Sequence, residues 1–135
     1  MKNNYGFTII EILVSVGLIA LLSTMGITGF QAITRGGRDA LRKTELEKIR
    51  SALEIYKSDY GFYPEADAEG NAGLPPQYMS NYPIDPKSPD SRYYYIRRTE
   101  LTYELCAHLE NGDNSEFCDD ATACTLNCNY AVSNP

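Results

Sequence analysis

The sequence predicts an α+β fold: one long N-terminal α-helix packed on a small antiparallel β-sheet of about three strands, with a disulfide-stapled C-terminal tail. Three observations predict it. An apolar run from Phe7 to Phe30 carries Glu11 as its only charge. The stretch DALRKTELEKIRSALEIYKSDYGFYP then keeps a helical spacing of apolar residues. Short aromatic and alternating segments follow, before a Gly/Asn/Asp-rich tail that holds all 4 cysteines.

The first element follows from length and composition. Phe7–Phe30 exceeds the roughly 20 apolar residues that cross a hydrocarbon core, and it is longer than the h-region of a secretory signal and has no small-x-small cleavage site at its end. Residues 7–33 are therefore read as a retained membrane-crossing helix. About a hundred residues remain, enough for one small core. Leu46, Ile49, Leu53, Tyr56 and Tyr60 recur at alternating steps of three and four, with Ala52 and Ile55 widening the stripe. The opposite face offers Glu47–Arg50 and Glu54–Lys57 as i,i+3 pairs of opposite sign. Residues 34–60 thus form an amphipathic helix, ended by Gly61 as a C-cap and by Pro64. One helix from about Phe7 to Asp59 fits, as do two helices broken at Gly36–Gly37, a pair that costs about 2 kcal/mol relative to alanine.

Residues 61–135 are read as the globular head. A loop rich in Gly, Pro and Asn covers 61–91. The sheet is expected over about 92–109, with a strand at Tyr93–Arg97 and a turn near Arg98–Glu100. The next strand alternates Leu101, Tyr103, Leu105, Ala107 and Leu109 with Thr102, Glu104, Cys106 and His108, its apolar face turned to the helix. The tail spans 110–135, with a third strand at Asn129–Val132. The spacing C-x11-C-x5-C-x3-C lacks the tight knuckles of all-cysteine zinc sites, so two disulfides in an oxidising compartment are expected. Of three possible pairings, the one expected is Cys106 with Cys128, tying strand to tail, and Cys118 with Cys124, closing a small loop.

Composition narrows the function. A net charge of −6 argues against nucleic acid as the main partner, because phosphate binding needs a basic surface. Neither G-x-S-x-G, nor H-E-x-x-H, nor a phosphate-binding glycine loop occurs, and His108 is expected to be an exposed strand residue, so no catalytic residue is assigned. The run Tyr93-Tyr94-Tyr95 near Arg97 and Arg98 could stack bases or sugars, although such runs more often cover a core.

A leader ending in Gly6, then F-T-I-I-E and some twenty apolar residues, resembles the type IV prepilin signature. The continuation DALRKTELEKIRSALEIYKSDYGFYP and the YPIDP at 82–86 are similar to pilins and to the major pseudopilins of type II secretion. The resemblance implies that residues 1–6 are a leader, cut after Gly6 by a prepilin peptidase. Phe7 becomes the new, N-methylated terminus. Glu11, about one turn into the helix, would offset the terminal amine of its own chain or of a neighbour and so set the register of a helical homopolymer. Implied partners are further copies of the chain, the membrane before assembly, an assembly ATPase and an inner-membrane platform protein. The location implied is the inner membrane for the precursor and a periplasmic or cell-surface filament for the product. The function implied is a structural filament subunit. The alternatives are a major pseudopilin in protein export, or an anchored adhesion or DNA-uptake module.

The family pattern is not followed everywhere. No proline stands near the end of the apolar segment; Gly26 and Gly29 could loosen the helix there, or let helices pack closely. Lys2 stands alone before the segment while Arg35, Arg38, Arg42 and Lys43 follow it, against the positive-inside rule. These cations are expected to pair with Asp39, Glu45 and Glu47 on neighbouring helices. No cofactor is expected. Where the family's pseudopilins bind calcium, Asp113, Asp119 and Asp120 are the candidate ligands, beside Asn114 and Glu116, but the run lacks EF-hand spacing.

Overall fold

The computed structural model describes residues 6–112, 118 and 128–134, with only the backbone of 25–28. Helix α1 spans Ile9–Tyr60 and strands β1, β2 and β3 span Tyr94–Thr99, Thr102–Ala107 and Tyr130–Ser133. The chain divides into two compact units, Met1–Arg35 and Gly36–Pro135.

The described part of the first unit is mostly helix, and its apolar side chains are exposed: Ile9, Leu13, Val16, Ile19 and Leu22 are each more than half accessible. An 18-residue window of α1 reaches a mean hydropathy of 2.2, so the helix is long and apolar enough to cross a membrane. The helix is assigned without interruption through Gly36–Gly37.

In the second unit the expected stripe packs on the expected sheet. Leu46, Ile49 and Leu53 join Tyr95, Tyr103, Leu105, Ala107 and Val132 in one core, closed by Tyr93, Tyr63 and Ala72. Period-3.6 and period-2 patterns meet there because each buries one apolar face. Ala52 widens the stripe as expected, but Ile55 does not and Tyr60 does not complete it; both are exposed, Ile55 because it lies on the far side of α1 and Tyr60 because the helix ends there. Gly61 stops the helix at φ +83°, donating its N–H to the Lys57 carbonyl at 2.7 Å.

The sheet is antiparallel in the order β1-β2-β3, with Tyr95 opposite Leu105 and Leu105 opposite Val132. Leu101, expected on the core face, is exposed because it sits in the β1–β2 turn. His108, expected exposed, is half-buried and engaged. Beyond β2, the Asn129 side chain stands in for a strand: it accepts from Leu109 N–H at 2.7 Å and donates to the Leu109 carbonyl at 2.9 Å.

The back of the sheet is covered too. Cys106, Cys118 and Cys128 cluster there with Tyr94, Ile96 and Ala131. The expected pairing is corrected. Cys106 is bonded to Cys118, with their Cα atoms 6.1 Å apart, so neither Cys106–Cys128 nor Cys118–Cys124 forms. Cys106 points away from Leu105 by strand alternation, to the face on which Cys118 lies. Cys128 is disulfide-bonded as well, and Cys124 lies outside the described residues.

Candidate functional site

The predicted assembly residues lie at the start of α1. Gly6 and Phe7 precede the helix and are exposed. Glu11 is bound within its own chain. Its carboxylate accepts from the Thr8 N–H at 2.9 Å and the Thr8 hydroxyl at 2.7 Å, while the Thr8 hydroxyl accepts from the Glu11 N–H at 3.3 Å. This is a capping box: two N–H groups that have no partner within the helix are satisfied reciprocally by residues three apart. The T-x-x-E spacing, Thr8 to Glu11, was legible in the sequence, but reading Glu11 as the partner of a terminal amine, its own or a neighbour's, left Thr8 without a role.

The second feature is a buried ionic cluster in the head, which sequence reasoning missed. Arg42 is fully buried, and its guanidinium grips Asp85 through Nε at 2.7 Å and Nη2 at 3.1 Å. Its Nη1 donates to Asp39 at 2.8 Å and to Glu110 at 3.3 Å. Arg38 forms a second fork on Glu110 at 2.5 and 2.7 Å, and Lys87 reaches the same carboxylate at 3.0 Å. Asp39 also accepts the backbone N–H groups of Glu110 and Asn111 at 2.8 and 2.9 Å. Three cations face three carboxylates, each bound by charge-assisted hydrogen bonds.

The cluster joins three segments: α1, the YPIDP loop that supplies Asp85, and the turn after β2 that supplies Glu110. It corrects the expectation that Arg38, Arg42 and Asp39 serve neighbouring helices. Asp39 and Arg42 continue the stripe Leu46, Ile49, Leu53 by steps of three and four, so they face the head, not another molecule. Glu45 receives the Tyr93 hydroxyl, Glu47 pairs with Arg50 at 3.5 Å on α1, and Lys43 lies over the Tyr130 ring at 4.9 Å. Glu54 and Lys57 meet through the Tyr63 hydroxyl, at 2.8 and 3.1 Å.

Electrostatics follow from the geometry. The Arg38 fork, aided by Lys87, holds the Glu110 carboxyl well below its usual range against the opposing effect of burial. Burial pushes Asp85 up, but the Arg42 fork and the Lys87 N–H outweigh it and leave the carboxyl below its usual range. Burial, reinforced by hydrogen-bonded glutamates, raises the Tyr63 and Tyr93 phenols well above theirs.

Among the described residues, Glu104, Cys106 and Cys118 come close enough together to hold a metal, but the two sulfurs are consumed in a disulfide and offer no thiolate. The calcium candidates Asp113, Asp119 and Asp120, with Asn114 and Glu116, lie outside the described residues.

The family model of the prokaryotic N-terminal methylation motif matches residues 1–27, the segment that contains the Thr8–Glu11 box. The chain carries a prepilin-type N-terminal methylation motif. Prepilin peptidase-dependent protein D of Escherichia coli (strain K12) is 30% identical to it over 82 residues, covering 61% of this chain and 56% of that relative. The chain thus spans little more than half the length of the curated relative it matches. No solved structure matches. Motif and relative agree with the resemblance of the N-terminal segment to the prepilin signature. The apolar helix and the motif are consistent with a membrane-anchored precursor.

Proposed function

We propose that the chain is a structural subunit of a type IV pilus-like filament. The observation that carries this reading is an α1 whose apolar side chains stand exposed over Ile9–Leu22, behind a capped start that matches the methylation motif. Such a surface is stable in lipid or against its own kind, and not in water. Cleavage after Gly6 by a prepilin peptidase frees Phe7 for methylation. An assembly ATPase acting through a platform protein then draws the subunit from the inner membrane into the fibre. There the apolar helices exchange lipid for one another, and the heads form the surface. Burial of a large apolar side chain contributes about 1.5–3 kcal/mol relative to water, which favours the polymer once it has left the bilayer.

The YPIDP loop, with Asp85 gripping Arg42, and the small three-stranded head favour a second reading, a major pseudopilin in a secretion system. Mass measurement of the mature chain tests processing; a retained Met1–Gly6 contradicts both readings. Imaging of cells with and without the gene separates them. Surface fibres support the pilus, whereas a secretion defect without fibres overturns it.

A further inference from the structure

The back of the sheet gathers more chemistry than a disulfide alone uses. Glu104 and Cys106 stand two apart on β2, so strand alternation turns both to that face. Glu104, Cys106 and Cys118 each bring one ligand atom within 4.8 Å of the other two. Cys128, two residues before β3, packs in the same buried cluster as both of those sulfurs. The Glu104 carboxylate is held in place, because its Oε2 accepts from Arg98 Nη2 at 2.8 Å. Neither the capping box nor the ionic cluster uses any of these residues.

We propose that this cluster, while its sulfurs are thiols, is a zinc site with Glu104, Cys106, Cys118 and Cys128 as its ligands. A tetrahedral zinc ion with bonds of about 2.0–2.3 Å spaces its ligand atoms about 3.3–3.8 Å apart. The three grouped atoms already lie within reach of that spacing. Cys128 supplies the fourth corner once its own disulfide is open. Zinc fits the donor set: thiolates are soft ligands that suit it, whereas calcium and magnesium take oxygen. Arg98 then acts as the outer partner that orients a ligating carboxylate. Each bound thiol gives its proton to solvent. The fold assembles the site from β2 and residues 12 and more positions away, so no tight sequence knuckle announces it. Disulfide and zinc exclude each other at Cys106 and Cys118. The head therefore has two alternative staples over the same seam, one for each oxidation state of its sulfurs.

The test uses the full chain in detergent micelles, reduced with a metal-free phosphine, and zinc alone as the probe. One zinc per chain is expected. At free zinc a hundredfold above Kd, the urea midpoint of the head's near-ultraviolet circular dichroism should rise by about 1 M. Should reduction by itself unfold the head, zinc is expected to restore that signal. Cobalt in place of zinc should give the intense visible bands of a tetrahedral thiolate site. Glu104→Gln, which keeps the side chain's shape, should weaken zinc binding more than about 10-fold, and Cys118→Ser and Cys128→Ser should do so further. The oxidised chain should not bind. Zinc held as tightly in denaturing urea as in native buffer would overturn the site, because any reduced chain with thiols could do that. An unmoved midpoint, a head that zinc does not restore, an unchanged affinity in Glu104→Gln, or equal binding by the oxidised chain would overturn it as well. An unchanged affinity in Cys128→Ser would overturn the ligand set.

Discussion

Replacing Arg42 by alanine should cripple the head, and its pH response should change sign. The guanidinium is fully buried, with Asp85 and Asp39 buried beside it. Removing one partner of such a cluster leaves uncompensated charge in the interior, which costs about 3–5 kcal/mol. A head of this size is stable by about 5–15 kcal/mol, so the loss is a large part of the total. With a urea dependence of about 2 kcal/mol per molar, the unfolding midpoint should drop by about 2 M. The assay is urea unfolding of the full chain in micelles, followed by near-ultraviolet circular dichroism of the head's tyrosines, with exposed Arg92→Ala as control. The wild-type carboxyls of Asp85 and Glu110 lie below their unfolded values of about 4. Their contribution is therefore complete above about pH 4 and fades as pH falls further, through their folded values. In the variant, burial acts on Asp85 without its guanidinium, so its folded value should rise above the unfolded one. Stability should then be regained on acidification from pH 7 towards pH 4. A midpoint shift no larger than that of Arg92→Ala, or an unchanged pH response, would refute the reasoning.

Gly61→Ala, at φ +83° with open space around it, should cost about 1–2 kcal/mol through backbone strain alone, read from the same urea curves. Cys106→Ser opens a loop with a sequence separation of 12 and should cost about 3 kcal/mol, and wild type under reducing conditions, which also open the Cys128 disulfide, should fall at least as far. Burial and the hydrogen-bonded glutamates raise the Tyr63 and Tyr93 phenols, so the head should hold its stability up to about pH 10 and lose it as pH climbs towards their folded values. Spectrophotometric titration of tyrosinate checks this; ionisation of all 11 tyrosines near pH 10 with the head still folded would contradict it.

The helix, the three strands and their contact were legible because Leu46–Ile49–Leu53 and Tyr103–Leu105–Ala107 each repeat with the period of their element. The ionic cluster was not, although Asp39 and Arg42 stand on the same stripe. A charged residue at a core position reads as solvated until its partners are known, and Asp85 and Glu110 are 43 and 68 positions from Arg42. The disulfide was missed for a related reason. Loop length constrains pairing weakly, whereas strand alternation, which turns Cys106 to the back of the sheet, decides which sulfur it meets. At Glu11 the local signal was present in Thr8, and attention to a terminal amine, of the same chain or of another, hid the nearer partner in the same turn.

Glu110 lies 72 positions after Arg38, so synthesis delivers the last carboxylate of the clasp long after the first cation. A chain that stops short of it leaves Arg38 wholly hydrated, Arg42 and Asp39 short of partners, and Leu46, Ile49 and Leu53 without part of their cover. Completion of the head is thereby tied to arrival of its own far end, and an unfinished chain stays recognisably unfinished.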